Sequence, residues 1–209
     1  MPARCVIFDC DGTLVDSEPL VNEVMVEMVR EHGLTLDLET ALRLFAGRKL
    51  DEGLAELEGL ADYRFPKSFV PDFRVRSAQR LTDAVQAMPH VDEALEQLHL
   101  PRCVASSAPR AKTELNLSVT GLSRHFEAVF SAYEINSWKP APDLFLVAAS
   151  HLGFDPSDCV VVEDSDHGIA AGLAAGMQVI TYQRPDVQGE GLHNIDSYRD
   201  FLPLLAALN

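Results

Sequence analysis

Short apolar runs recur along the chain at Cys5 to Phe8, Cys103 to Ser106, Ala128 to Ser131, Cys159 to Val162 and Val179 to Tyr182, and each predicts a strand. Helical patterns separate most of them. Buried strands alternating with helices predict an α/β fold, a doubly wound, Rossmann-like parallel sheet covered on both faces, which binds ligands beyond the carboxyl ends of its strands. The first connection is too long for one crossover helix, so something is inserted there. Between Leu20 and Val29 the pairs Leu20/Val21, Val24/Met25 and Met28/Val29 recur every four residues, the stripe of an amphipathic helix that Gly33 can end. Further helical patterns run to Val85. Residues 16–84 are therefore expected to form an α-helical cap, and residues 1–15 and 85–209 the core, joined by hinge strands near Val15 and Ala84 to Met88.

Composition narrows the class. A chain of 209 residues, 47% hydrophobic, can bury a full core. Its formal net charge of -15 would repel nucleic acid and anionic membranes, so neither is an expected partner. No apolar stretch approaches the roughly 20 residues that span a bilayer, and Met1 leads directly into a strand, which points to a cytoplasmic protein. A monomer or weak homodimer is expected. The four cysteines lack paired metal spacing and are read as reduced core thiols. Cys10 lies between two aspartates, but strand alternation turns it away from them and no activating base is evident.

The chemistry begins at Asp9-Cys10-Asp11-Gly12-Thr13, where the first strand stops. Alternation puts Asp9 and Asp11 on one side of the backbone, and Gly12 lets the chain turn beyond them. Asp9 is suited to attack phosphorus, splitting hydrolysis into formation and breakdown of an aspartyl phosphate, with Asp11 as general acid and then base. In isolation, the same residues would simply cap a turn. A second strand, Val160 to Val162, also ends in acids, at Glu163-Asp164. Brought beside the first, it would complete an oxygen site for Mg²⁺ from Asp9, the Asp11 carbonyl and Asp164, with Glu163 ligating directly or through water. Ser106 and Ser107 follow another strand, where hydroxyl and backbone N–H donors can hold a phosphate or cap the next helix. Lys139, stiffened by Pro140 and Pro142, offers a fixed cation for both phosphate and nucleophile.

The ordered set Asp9-Cys10-Asp11-Gly12-Thr13, Ser106, Lys139-Pro140 and Glu163-Asp164 resembles the four motifs of the haloacid dehalogenase superfamily, in its branch of β-phosphoglucomutases and sugar phosphatases. The run from Phe130 to Pro140 is similar to that of 6-phosphogluconate phosphatases. The resemblance implies a Mg²⁺-dependent phosphoric monoester hydrolase acting on a small phosphorylated sugar or sugar acid, with the roles given above. Relatives often carry asparagine where this chain has Ser107, which leaves the backbone N–H as that position's contact. A dehalogenase has no use for Asp11 or a metal site. A phosphomutase would return the phosphoryl group to a sugar, but the cap lacks a recognisable mutase pattern. A noncatalytic phosphometabolite sensor would keep the pocket without turnover.

Selectivity is expected from the cap. In related caps the loop corresponding to its basic break, Ala46-Gly47-Arg48-Lys49-Leu50, faces the active site, and the resemblance implies Lys49 as the contact for a substrate carboxylate, with Arg48 as second candidate; two solvated charges are the alternative. Glu18 would contact a polar substrate or favour a helix N-terminus. Arg110 and Lys112 are further candidates for an anionic ligand, whereas His90, His125, His151 and His193 lack supporting partners and are read as structural.

Overall fold

The computed structural model describes residues 3–45 and 48–208; Ala46 and Gly47 of the basic cap segment lie outside the described residues. Its centre is a six-stranded parallel sheet of β1 (Cys5–Phe8), β2 (Arg102–Ser106), β3 (Val129–Ser131), β4 (Cys159–Glu163), β5 (Gln178–Tyr182) and β6 (Leu192–Ile195). The order is β3-β2-β1-β4-β5-β6, so the chain reverses its winding direction between β1 and β4. In register, Ile7 faces Cys103 on one side and Val161 on the other. The sixth strand was not anticipated: its Leu-His-Asn-Ile sequence is only partly buried at the sheet edge and gives no apolar run.

Alternating side chains feed two cores. Val6, Phe8, Val104, Val160, Val162 and Ile180 pack on one face with α5 (Val91–Gln97), α6 (Arg110–Val119) and α10 (Phe201–Ala207). On the other, Cys5, Ile7, Cys103, Ala105, Val161 and Val179 meet α8 (Asp143–Leu152) and α9 (Asp166–Ala174), with the short α7 (Ala132–Ile135) nearby. Burying each large apolar side chain there contributes about 1.5–3 kcal/mol, which is why strands covered on both sides need not alternate with polar residues.

The insertion comprises α1 (Glu18–Glu31), α2 (Leu38–Phe45), α3 (Leu50–Ala61) and α4 (Phe69–Ala84). Val24, Met25, Met28 and Val29 point inward against Leu44, Leu57, Phe69 and Phe73, giving these helices their own core. Gly33, at φ +77°, takes the left-handed conformation that ends α1. The two connecting segments run side by side: Val15 bridges Ala87, Asp16 N–H donates to Gln86 O at 3.0 Å, and Met88 N–H donates to Leu14 O at 2.9 Å. Among the described residues, no helix is long and apolar enough to cross a membrane.

Candidate active site

The reversal between β1 and β4 brings their acidic ends together. Asp9 N–H donates to Val162 O at 3.0 Å, setting Asp9 level with the end of β4. Between them lies Lys139, whose Nζ is 2.5 Å from Asp9 Oδ1 and 2.6 Å from Glu163 Oε1. The other Glu163 oxygen accepts from Asp164 N–H and Ser165 N–H, both at 2.9 Å, and from Ser165 Oγ–H at 3.0 Å. Glu163 is thus fully engaged by protein donors. Thr13 Oγ–H holds Asp164 Oδ1 at 2.7 Å, and a Cβ on Gly12 would lie 2.2 Å from Asp164 Oδ2, so this approach requires glycine.

Oxygens of Asp9, Glu163 and Asp164 lie within 4.8 Å of one another. Three carboxylates against one ammonium leave the cluster net negative when all are ionised, and an all-oxygen donor set suits a hard divalent cation. Burial pushes the Asp9 carboxyl well up, reinforced by Glu163 and Asp164 and opposed by Lys139. Asp164 is pushed up to about 8, first by burial and then by Glu163. Burial alone would lower the Lys139 pKa, but Asp9 and Glu163 raise it above its ordinary value, so the ammonium stays charged.

Asp11 faces a different set of partners. Its Oδ1 accepts from Ser17 Oγ at 2.5 Å, Asn116 Nδ2 at 3.0 Å and Lys112 Nζ at 2.9 Å. Lys112 is held protonated by Asp11 and Glu18 against the opposing effect of burial. Opposite, Ser106 is buried and its Oγ accepts from Ala108 N–H at 3.0 Å, shaping the loop before α6. Cys10 is turned into the sheet core, and burial keeps its thiol protonated.

Asp9, Asp11, Ser106, Ser107, Lys139, Glu163 and Asp164 share the wall of one cavity of about 590 Å³ whose roof is formed by α1 and α4. Glu18 and Arg48 also line it, Arg48 Nη1 being 2.9 Å from Glu56 Oε2. Lys49 does not line it; its Nζ stands 4.1 Å above the Trp138 ring centroid, a contact between the helical insertion and the loop carrying Lys139. Arg110 is drawn off to Glu134, at 2.5 and 2.6 Å, outside the cavity. The histidines read as structural include His125, whose Nε2 lies 2.7 Å from Asp92 Oδ1.

Several lining or supporting groups were missed by the sequence reasoning: Ser17, Asn22, Arg43, Arg74, Ser77, Asn116 and Arg184. Arg184 Nη1 donates to Asp164 O at 2.9 Å. Most stand on helices, where one polar side chain within an amphipathic pattern carries no local signal. Ser17 had one, since a serine one residue before a helix that begins Glu-Pro marks a helix entry.

Comparison with known proteins gives the family. The family model described as haloacid dehalogenase-like hydrolase matches residues 3–176. A 6-phosphogluconate phosphatase of Escherichia coli (strain K12) is 34% identical over 183 residues, covering 86% of this chain and 82% of that protein. A fructose-1-phosphate phosphatase of the same organism is 34% identical over 179 residues, covering 84% and 94% respectively. A haloacid dehalogenase family hydrolase from Deinococcus radiodurans R1, solved with bound phosphate and sodium, is 32% identical with a TM-score of 0.79, covering 99% of this chain and 96% of that one. The chain therefore belongs to the haloacid dehalogenase-like hydrolase family, as an enzyme grouped with its phosphatases.

Proposed function

We propose that this protein is a Mg²⁺-dependent phosphatase of small phosphorylated sugars or sugar acids, with 6-phosphogluconate the leading candidate, working through an aspartyl phosphate on Asp9. The observation that carries this is Asp9 at the carboxyl end of β1, held by Lys139 at 2.5 Å beside Asp164 and opening onto a cavity opposite Ser106. The substrates named for the two Escherichia coli relatives support the choice of leaving group.

A carboxylate oxygen of Asp9 attacks phosphorus, the bond from phosphorus to the sugar oxygen breaks, and Asp11 gives that oxygen its proton. Asp11 then takes a proton from water, whose oxygen displaces Asp9 and releases inorganic phosphate. Lys139, with Ser106 and the backbone of Ser107, binds the phosphoryl oxygens. Asp9, Asp164 and the Asp11 carbonyl would hold Mg²⁺, which when bound would supply charge neutralisation at the phosphoryl group. Glu163 fixes Lys139 and is assigned no metal contact, because both its oxygens already accept from protein donors. The helices of residues 16–84 serve as the cap, and the paired segments at Val15 and Ala87 as its hinge.

The test is phosphate release with Mg²⁺ from 6-phosphogluconate, hexose phosphates, phosphoglycolate and nucleotides, using wild type and Asp9→Asn. Release from the sugar phosphates by wild type and none by Asp9→Asn, with ligand binding retained, is expected. Turnover by Asp9→Asn sinks the nucleophile assignment, and conversion to sugar bisphosphate with little free phosphate makes the protein a mutase.

A further inference from the structure

Two side chains that line the roof of the cavity each carry a buried polar atom with no protein partner. Asn22 on α1 is 1% exposed and Ser77 on α4 is 6% exposed, and both line the cavity. Asn22 Nδ2 donates to Glu18 O at 2.9 Å and to Glu18 Oε2 at 3.1 Å. Since both of those atoms only accept, the amide nitrogen must face them and Oδ1 is the end left over. Asn22 Oδ1 and Ser77 Oγ are both buried without a hydrogen-bond partner. A buried acceptor in that condition costs free energy unless something else satisfies it.

Their placement is built rather than accidental. On α4 the residues Arg74, Ser77, Ala78 and Leu81 line the cavity, the spacing of one helix face, with Ser77 at its middle. The outward side is tied to α1 by Arg80, whose guanidinium reaches Glu23 and Glu27 at 2.8 Å each, and by Arg76 to Glu31 at 2.6 Å. Those pairs join the two helices that carry Asn22 and Ser77. Neighbouring roof residues Val21, Phe73 and Leu81 are apolar and offer neither atom a donor.

We propose that Asn22 and Ser77 form a hydroxyl-binding subsite for the leaving group, and that the substrate is a polyhydroxylated phosphate whose hydroxyl groups donate to Asn22 Oδ1 and exchange a hydrogen bond with Ser77 Oγ. This rests on the phosphatase assignment. Asn22 Oδ1 accepts only, so it selects a ligand that brings an O–H or N–H to the roof. Arg74 stands beside Ser77, with its guanidinium 5.8 Å from the Tyr133 ring centroid, where it can meet an anionic end of the same ligand.

The experiment measures kcat/KM of wild type, Asn22→Ala and Ser77→Ala on 6-phosphogluconate and fructose 1-phosphate, and on p-nitrophenyl phosphate, which has no hydroxyl group in its leaving portion. Each substitution is expected to lower the ratio of sugar-phosphate to p-nitrophenyl phosphate kcat/KM about tenfold, the effect of one buried hydrogen bond lost at the transition state. Ser77→Thr, which keeps the hydroxyl, is expected to retain more of the ratio than Ser77→Ala. A ratio unchanged in both alanine variants overturns the subsite, whether the absolute rates fall or stay. If wild type releases no phosphate from any of the three compounds, the phosphatase assignment itself has failed, a result distinct from an unchanged ratio.

Discussion

Lys139 Nζ and Glu163 Oε1 are 2.6 Å apart, with side chains 2% and 1% exposed, and the same ammonium reaches Asp9. The pair anchors the counter-charge of Asp9, the proposed nucleophile: Glu163 is itself pinned by the N–H groups of Asp164 and Ser165, which holds Lys139 in place. Removing one member of a buried pair strands the other, at a cost of about 3–5 kcal/mol. Glu163→Ala is expected to lose about that much in urea unfolding, and Glu163→Gln less. Lys139→Met is expected to lower kcat about 10²- to 10³-fold, as removal of an electrostatic stabiliser does. A Glu163→Ala protein as stable and active as wild type would show the anchor to be idle.

Gly168 makes the same point from the neighbouring helix. A Cβ there would come within 1.7 Å of Glu163 Oε1, so Gly168→Ala must displace that carboxylate. The expected loss is about 1–3 kcal/mol, the usual cost of overpacking, together with a fall in kcat. Gly59 has nothing within reach of an added Cβ, and Gly59→Ala is the matched control that should cost neither.

Metal binding should be strongly pH-dependent. Asp164 is raised from 3.8 to about 8, so between those limits its carboxyl in the folded, metal-free protein is expected to hold a proton that the unfolded chain has released, and the upward shift of Asp9 acts in the same direction. Stability of the metal-free form therefore falls as pH rises from about 4 towards about 8. Mg²⁺ must displace those protons, so its apparent affinity should rise about tenfold per pH unit below about 8 for each proton displaced. Thermal unfolding with and without Mg²⁺ from pH 5 to 8.5 measures both trends. A Mg²⁺ affinity flat across that range contradicts the protonated cluster.

Lys49 is expected to act on closure rather than on the substrate's charge. Its ammonium sits over Trp138, next to Lys139, and such a contact is worth about 0.5–1 kcal/mol when partly exposed. Lys49→Ala should lower kcat/KM about twofold to fivefold alike for carboxylated and neutral sugar phosphates. A loss confined to carboxylated substrates returns Lys49 to the role expected from its basic segment.

The strands that carry Asp9, Ser106 and Glu163 were legible because each is buried on both faces and so appears as an unbroken apolar run. The edge strand at Leu192 to Ile195 was not, since partial burial lets His193 and Asn194 interrupt it. At the site, motifs confined to a few consecutive residues could be read directly. The partners of Asp11 could not: Asn116 lies 105 residues away on a helix and meets it only through the β1–β2 pairing. Glu163 was visible as an acid at a strand end, but whether its oxygens serve a cation or Lys139 depends on which donors the fold brings to it.

The stretch from Asp11 to Ser17 has one further property. Ser17 Oγ grips Asp11 Oδ1 at 2.5 Å, and between them Val15 pairs with Ala87, where the helical insertion leaves the core. Under the proposed roles, the proton-carrying carboxylate is tied to the joint between helices and core, so turning of the cap about that joint would change the orientation of Asp11 along with access to the cavity. Admission of the ligand and timing of proton transfer would then share one moving part.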